Sequence, residues 1–182
     1  SIPMTRTEAV NHTTGSAVRT VMVFTDLDGT LMDHDSYDVA PAKPALEALA
    51  ARSIPVVPVT SKTRTELEPL MGRLGLSGPA IAENGAVIMN TDGSSDTADA
   101  REKIALALDA FPKNIRKAMI CFRDMEIEQI ATATGLTHAD ATRAAVREAS
   151  EPFMWQGDAM PLTTLTEILG GTLKKFDLRL TQ

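Results

Sequence analysis

Two aspartates separated by one residue are the feature of this sequence that most strongly indicates chemistry. The apolar run TVMVF (20–24) and one threonine precede Asp26 and Asp28, and Gly29 follows them. In an extended segment, residues i and i+2 share a face, so both carboxylates should point the same way while Leu27 stays in the core. Gly29 permits a sharp turn after a strand. The spacing therefore predicts paired carboxylates at the end of a strand.

Two neighbouring carboxylates in a partly dry site need a cation or a shared proton. A hard cation such as Mg²⁺ suits them because it takes oxygen ligands and keeps waters that a phosphate can replace. A protonatable second aspartate can donate to a leaving group and later activate water. The pair therefore suits covalent phosphoryl transfer, with one nucleophile and one acid–base group. Spacing alone leaves open a plain Asp-rich turn after a strand.

Apolar patterns predict the elements that position this pair. Short apolar runs without alternation indicate strands buried on both faces, and apolar residues at helical spacing indicate helices between them. Strands that alternate with helices predict a doubly wound parallel α/β sheet, in which ligands bind outside the carboxyl ends of the strands. The predicted elements are strands at 20–24 and 54–60, helices at 40–53 and 62–76 (the latter ending at Gly75), and a strand at 79–90 that breaks at Asn84-Gly85 and resumes as its hairpin partner.

The pattern changes after a loop rich in Gly, Ser and Asp at 91–100. Segment 101–110 fits either a strand or a helix, and the segments that follow predict a helix-rich second module. These helical segments are 112–124, 125–136, 138–150 and 161–171. We predict a disordered leader at 1–20, a first domain at 21–95 and a second at 96–182.

Composition narrows the possible partners and the location. The net charge of −6 argues against a surface for nucleic acid or an anionic membrane. The single cysteine, Cys121, excludes an intrachain disulfide framework and fits a reducing compartment. Residues 1–20 lack an apolar signal core, and no apolar run is long enough to span a bilayer. These features predict a cytoplasmic protein.

Residue identity adds a family resemblance to these patterns. FTDLDGTL (24–31) resembles the first motif of the haloacid dehalogenase superfamily, an apolar strand that ends in DxDGT. IPVVPVTSKT (54–63) resembles the second motif, a strand that ends in Thr or Ser. IAENGA (81–86) resembles the N-G signature of subclass IIB, whose α/β cap is inserted after the third strand.

Within this subclass, the chain is similar to the mannosyl-3-phosphoglycerate phosphatases. SKTR (61–64) and the stretch 133–153 carry that likeness, which covers about residues 21–181. The resemblance implies a Mg²⁺-dependent phosphatase that hydrolyses this small phosphorylated sugar-glycerate to mannosylglycerate and phosphate through an aspartyl-phosphate. It implies neither nucleic acid nor membrane as a partner.

The resemblance also implies roles for particular residues. Asp26 would be the nucleophile and a metal ligand, and Asp28 the acid–base group whose backbone carbonyl also binds the metal. Thr60, with Ser61 as its near rival, would hold the phosphoryl group. A solvated lysine, a turn-forming asparagine and a surface arginine remain the ordinary alternatives for three of the substrate contacts. The implied substrate contacts are Ser61, Lys62, Asn84 and Arg179.

The resembled enzymes continue past the position that matches Gln182. Their remainder carries a lysine that steadies the aspartyl-phosphate, the acidic residues that complete the Mg²⁺ shell, and the last elements of the core. We therefore expect this chain to comprise only the N-terminal part of the core and an incomplete cap. We also expect residues 1–182 alone to be poorly active.

Three alternatives remain open. One is another enzyme of the superfamily, such as a sugar-phosphate phosphatase or a phosphomannomutase-like protein. Another is a binding module, because residues 127–146 resemble a helix-turn-helix. Its predicted recognition helix offers Arg143 and Arg147 for phosphates, offset by Asp140 and Glu148. The last is a fragment without a function of its own.

Overall fold

The structure, a computed structural model, describes residues Thr20–Thr181. The predicted leader therefore lies, except for Thr20, outside the described residues. Short 3₁₀ turns at Ala40–Ala42, Glu83–Gly85 and Phe122–Asp124 accompany the main elements. These are β1 (Val23–Thr25), α1 (Lys43–Ala51), β2 (Val56–Pro58), α2 (Arg64–Leu74), β3 (Ala80–Ala82), β4 (Val87–Met89), α3 (Ala100–Ala110), α4 (Lys113–Ala118), β5 (Met119–Cys121), α5 (Ile127–Thr134), α6 (His138–Ala144), β6 (Phe153–Trp155) and α7 (Leu162–Lys175).

The first three strands run parallel, as predicted. β1 pairs with β2 so that Val23 lies opposite Val56. A parallel bridge between Val59 and Ile81 places β3 along the other side of β2. Because the crossovers that contain α1 and α2 return the chain to the same end each time, the three carboxyl ends meet at one edge. The sequence motifs at these ends are thereby brought together.

Local sequence sets both ends of α2. The Thr63 hydroxyl accepts a hydrogen bond from the Glu66 N–H, and the Glu66 carboxylate accepts one from the Thr63 N–H, which forms a capping box. The helix ends, as predicted, at Gly75, whose φ of 70° is left-handed. One face of α2 is buried in the core through Leu67, Met71 and Leu74.

β3 and β4 form the predicted hairpin. They pair antiparallel, with Ala82 opposite Val87. The intervening turn has three consecutive residues with positive φ, at 48°, 57° and 91° for Glu83, Asn84 and Gly85. The first of these is unusual because a residue with a long side chain seldom adopts that backbone region.

The prediction that the first strand is buried on both faces is wrong for β1. Phe24 is 61% exposed, and Val21 and Met22 before it are exposed as well. Within residues 20–181, β1 pairs only with β2, so its other edge is open. β2 lies between two neighbours and is buried at all three of its residues, as predicted.

The second module contains a small antiparallel sheet as well as helices. Segment 101–110, which the pattern left undecided, is helical in α3. The prediction of one helix over 112–124 is wrong beyond Ala118, because β5 begins at Met119 and pairs with β6, placing Met119 opposite Trp155. No local pattern marks this pairing because each strand has three residues and the partners lie far apart in sequence.

Two other helix boundaries differ from prediction. α6 ends at Ala144 and not near residue 150, since the following residues turn to meet Glu83. α7 continues to Lys175 and not 171. Its extension carries Leu173, which packs against the second core and so favours continued helix.

Buried side chains form two clusters. The first surrounds β1–β4 with α1 and α2, and the second lies among α3, α7, β5 and β6. Among residues 20–181, no helix is both long and apolar enough to cross a membrane. The centres of the first cluster are Leu27, Met32 and Leu67, and those of the second are Cys121 and Leu169.

Candidate active site

The paired aspartates follow β1 in the predicted alternation. Leu27 is fully buried, whereas Asp26 is exposed and Asp28 is partly exposed. The Leu27 N–H donates to Asp26 Oδ1 at 2.8 Å, which orients that carboxylate at the strand end. Gly29 has a φ of 75° and its N–H donates to the Met32 carbonyl at 2.7 Å, so the turn after the aspartates needs glycine.

The end of β2 brings a hydroxyl and a cation to the same edge. Thr60 is buried, and its Oγ1 accepts a hydrogen bond from the Lys62 N–H at 3.2 Å. Lys62 Nζ lies 3.4 Å from Asp28 Oδ2, and these side chains are only 16% and 33% exposed. Lys62 is therefore paired with the predicted acid–base group and is not a solvated surface lysine. Ser61 is exposed.

Backbone hydrogen bonds join the end of β3 to this loop. The Asn84 N–H donates to the Thr60 carbonyl at 3.0 Å, and the Glu83 N–H donates to the Lys62 carbonyl at 2.9 Å. The structure thus brings together the carboxyl ends that carry Asp28, Thr60 and Asn84. It does so through the strand order and not through contacts that the motifs themselves encode.

A cavity of about 850 Å³ is lined by some of the predicted substrate contacts but not by the others. Asn84 and the exposed Arg179 line it, together with Trp155 and other side chains of the second cluster. Asp26, Asp28, Thr60, Ser61 and Lys62 do not line it. The structure therefore brings Arg179 to the same cavity as Asn84 but does not bring it to the aspartates.

The donor chemistry at the end of β1 fits Mg²⁺. Asp26 and Asp28 offer hard oxygen ligands, and Mg²⁺ usually binds one or two carboxylates together with waters and substrate phosphate. Within residues 20–181, no group of three or more His, Cys, Asp or Glu side chains could form a full protein cage for a metal. The residues present thus fit a cation that phosphate helps to hold.

Sequence reasoning missed Glu83, whose side chain is fully buried. Its carboxylate meets residues 147–150, which follow α6. Burial lowers the pKa of the neighbouring Arg147, whereas the Glu83 charge acts in the opposite direction. The only sequence signal was an acidic residue directly after the apolar strand, before the N-G turn.

The segment that resembles a helix-turn-helix packs on α2. α6 contacts α2, and the Thr63 hydroxyl donates to the Arg143 carbonyl at 2.9 Å. The two arginines of the predicted recognition helix have internal partners. Arg143 pairs with Asp140 at 3.2 Å, and Arg147 Nε lies 3.5 Å from Glu83 Oε1. This use of the charges disfavours the binding-module alternative.

The family follows from comparison with known proteins. The model of the haloacid dehalogenase-like hydrolase family matches residues 23–144, which include all three motif-bearing strand ends. The chain belongs to this family, and the resemblance inferred from its motifs is confirmed.

Two curated relatives and one solved structure give the nearer context. Proteins named glucosyl-3-phosphoglycerate/mannosyl-3-phosphoglycerate phosphatase, from Persephonella marina and Methanococcoides burtonii, are each 33% identical, over 167 and 164 residues. In both cases the match covers 81% of this chain and 60% of the relative, so the chain spans about 60% of their length. The sucrose-phosphatase from Synechocystis sp. PCC6803, solved with sucrose and phosphate, has a TM-score of 0.52 at 17% identity, over 85% of this chain and 57% of that one. That likeness supports the α/β fold.

Proposed function

We propose that the protein is a Mg²⁺-dependent phosphatase that releases phosphate from a glycosyl-3-phosphoglycerate, with mannosyl-3-phosphoglycerate as the preferred candidate. The observation that carries the proposal is the meeting of Asp26 and Asp28 with Thr60 and Lys62 at one edge of the parallel strands. The names of the two curated relatives support the substrate class. Residues 21–95 would belong to the catalytic core and 96–182 to its cap.

In the first step, the Asp26 carboxylate attacks phosphorus. A carboxylate oxygen–phosphorus bond forms, the bond from phosphorus to the sugar-glycerate oxygen breaks, and Asp28 gives its proton to that departing oxygen. The Thr60 hydroxyl donates to a phosphoryl oxygen. Lys62, which lies beside Asp28, leaves that pair for the negatively charged phosphoryl group when the substrate binds. Asp28, no longer paired, then takes up from solvent the proton that it gives to the departing oxygen.

In the second step, water attacks the phosphorus of the aspartyl-phosphate. Asp28 accepts a proton from the water, the bond between phosphorus and the Asp26 oxygen breaks, and inorganic phosphate leaves. Asp26 and the Asp28 backbone carbonyl would hold Mg²⁺. When bound, Mg²⁺ supplies positive charge that offsets the charge of the phosphoryl oxygens.

Phosphate release from mannosyl-3-phosphoglycerate, with Mg²⁺ and with a chelator, tests the proposal on the whole protein. Asp26→Asn should abolish turnover because the amide is not a nucleophile, and Asp28→Asn should reduce it by about 10²–10⁴-fold. Asp35→Asn is the matched control, since it removes an exposed carboxylate from the following turn. Metal-independent turnover, or full activity of Asp26→Asn, would contradict the mechanism.

A further inference from the structure

Glu83 is a buried carboxylate that the proposed reaction does not use. It is 1% exposed and opens the left-handed turn between β3 and β4. Burying a carboxylate is costly unless donors surround it, and a left-handed backbone adds strain for a residue of this kind. Both costs persist only when the surrounding structure offsets them. The partners of Glu83 therefore indicate its role.

All the side-chain partners of Glu83 come from residues 147–150, and we call this set of contacts the latch. Glu83 Oε2 accepts a hydrogen bond from the Glu148 N–H at 2.8 Å. Oε1 accepts bonds from the Ala149 N–H at 3.2 Å and the Ser150 hydroxyl at 2.5 Å, and Arg147 Nε lies 3.5 Å away. One carboxylate thus binds four successive residues of the second domain.

Arg64, at the start of α2, makes a further contact with the 147–150 segment. Its Nε lies 3.2 Å from the Glu148 carboxylate. Its other nitrogens donate to the Gly93 carbonyl at 2.8 Å and to the Ser95 hydroxyl at 2.9 Å, both in the loop that follows β4. The loop after β4 and the latch segment are therefore both attached to the start of α2, two residues after Lys62.

The latch lies between the strand ends that carry the proposed catalytic groups and the large cavity. The Glu83 N–H donates to the Lys62 carbonyl, and Asn84 directly follows Glu83. On the other side, Ser150 and its neighbour Glu151 line the large cavity that Asn84 also lines. A displacement of the latch would move one cavity wall relative to the aspartates.

We propose that Glu83 is a positioning residue that seats the 147–150 segment on the core and so determines which leaving groups fit beside Asp26. The inference rests on the proposed function in that it names the effect on a phosphate-ester substrate. Glu83 acts through the cavity wall and not through the reacting atoms. Glu83 should therefore matter for a sugar-glycerate ester that extends from the aspartates past Asn84 to the wall, and much less for a small aryl phosphate.

The test uses Glu83→Gln in the full chain, with two readouts. Hydrogen exchange at the amides of residues 148 and 149, which donate to Glu83, should accelerate by about tenfold or more. The KM for mannosyl-3-phosphoglycerate should rise about tenfold, with a much smaller change for p-nitrophenyl phosphate. Glu102→Gln, an exposed acid on α3, is the matched control and should change neither readout.

The outcomes separate this proposal from the proposed function. Unchanged exchange at 148–149, or equal losses on both substrates, would overturn the latch. If the unmodified protein hydrolyses neither ester, the proposed function fails for residues 1–182 on their own, which span about 60% of the relatives' length, and hydrogen exchange alone decides whether the latch exists. If Glu83→Gln does not fold, Ser150→Ala, which removes one hydroxyl from the latch, is judged by the same criteria.

Discussion

The ion pair between Lys62 and Asp28 joins the two loops that carry the proposed catalytic groups. Partly exposed pairs of this kind contribute about 1 kcal/mol or less to stability, so a phosphate can displace the carboxylate without disrupting the fold. The spacing of Asp26 and Asp28 could be predicted because it depends only on strand geometry. The pairing with Lys62 could not, because it depends on the register between β1 and β2.

Cys121 provides a test at the scale of one residue. Burial raises the pKa of its thiol to about 11, although Arg116 acts in the opposite direction. At pH 8 the folded protein should therefore react with a thiol reagent about a hundredfold more slowly than the unfolded chain, since each pKa unit changes the thiolate fraction tenfold. The rates should be compared in buffer and in denaturant.

The pH dependence of this reaction has a definite sign. Raising the pH toward 11 should accelerate labelling of the folded protein, because the thiolate fraction grows over that range. Cys121→Ser, which removes the only cysteine, should abolish labelling. A folded protein that reacts at the unfolded rate at pH 8 would show that the thiol is not buried.

At the scale of elements, α2 connects the proposed chemistry to α6 through Thr63, the residue that precedes its first turn. The Thr63 hydroxyl caps the helix and donates to the Arg143 carbonyl. Thr63→Ala should lower the free energy of unfolding by about 1–2 kcal/mol, as for loss of other helix caps. Urea unfolding followed by circular dichroism measures this. Thr63→Ser keeps the hydroxyl and should lose much less; an equal loss would assign the effect to the methyl group.

Elements with local signals could be predicted, and elements that depend on distant partners could not. Periodic apolar residues indicate α2, and Gly75 marks its end, because both effects act within a few residues. β5 and β6 were missed since three-residue strands have too little pattern, and only their mutual pairing makes them strands. The early end of α6 has the same cause, because Glu83 holds the following residues from far along the chain.

At the scale of the whole molecule, the two buried clusters should lose stability together. Leu169 in the second cluster and Leu67 in the first are both fully buried. Substitution of either by alanine should cost about 2–5 kcal/mol. The single tryptophan, Trp155, packs against the second cluster and reports on it by fluorescence.

The informative comparison is the effect of Leu67→Ala on Trp155. Because the latch and Arg64 connect the two clusters, this distant substitution should shift the Trp155 unfolding transition to lower urea, as Leu169→Ala should. Combining Leu67→Ala with Glu83→Gln should weaken that coupling, while the contacts of Arg64 and Thr63 remain. If Leu67→Ala alone leaves the urea midpoint of the Trp155 transition unchanged, the two clusters unfold independently.

The latch also has a consequence for the order of folding. Its hydrogen bonds join residues 65 to 67 positions apart, so they close a long loop and bear a large entropic cost that neighbouring pairings do not. Until that loop closes, the Glu83 carboxylate has no donors in place of water and must stay hydrated. We expect the turn that carries Asn84 to reach its final form only after both buried clusters have largely formed. We therefore expect closure of the latch to be a late step of folding, one that joins two clusters formed earlier.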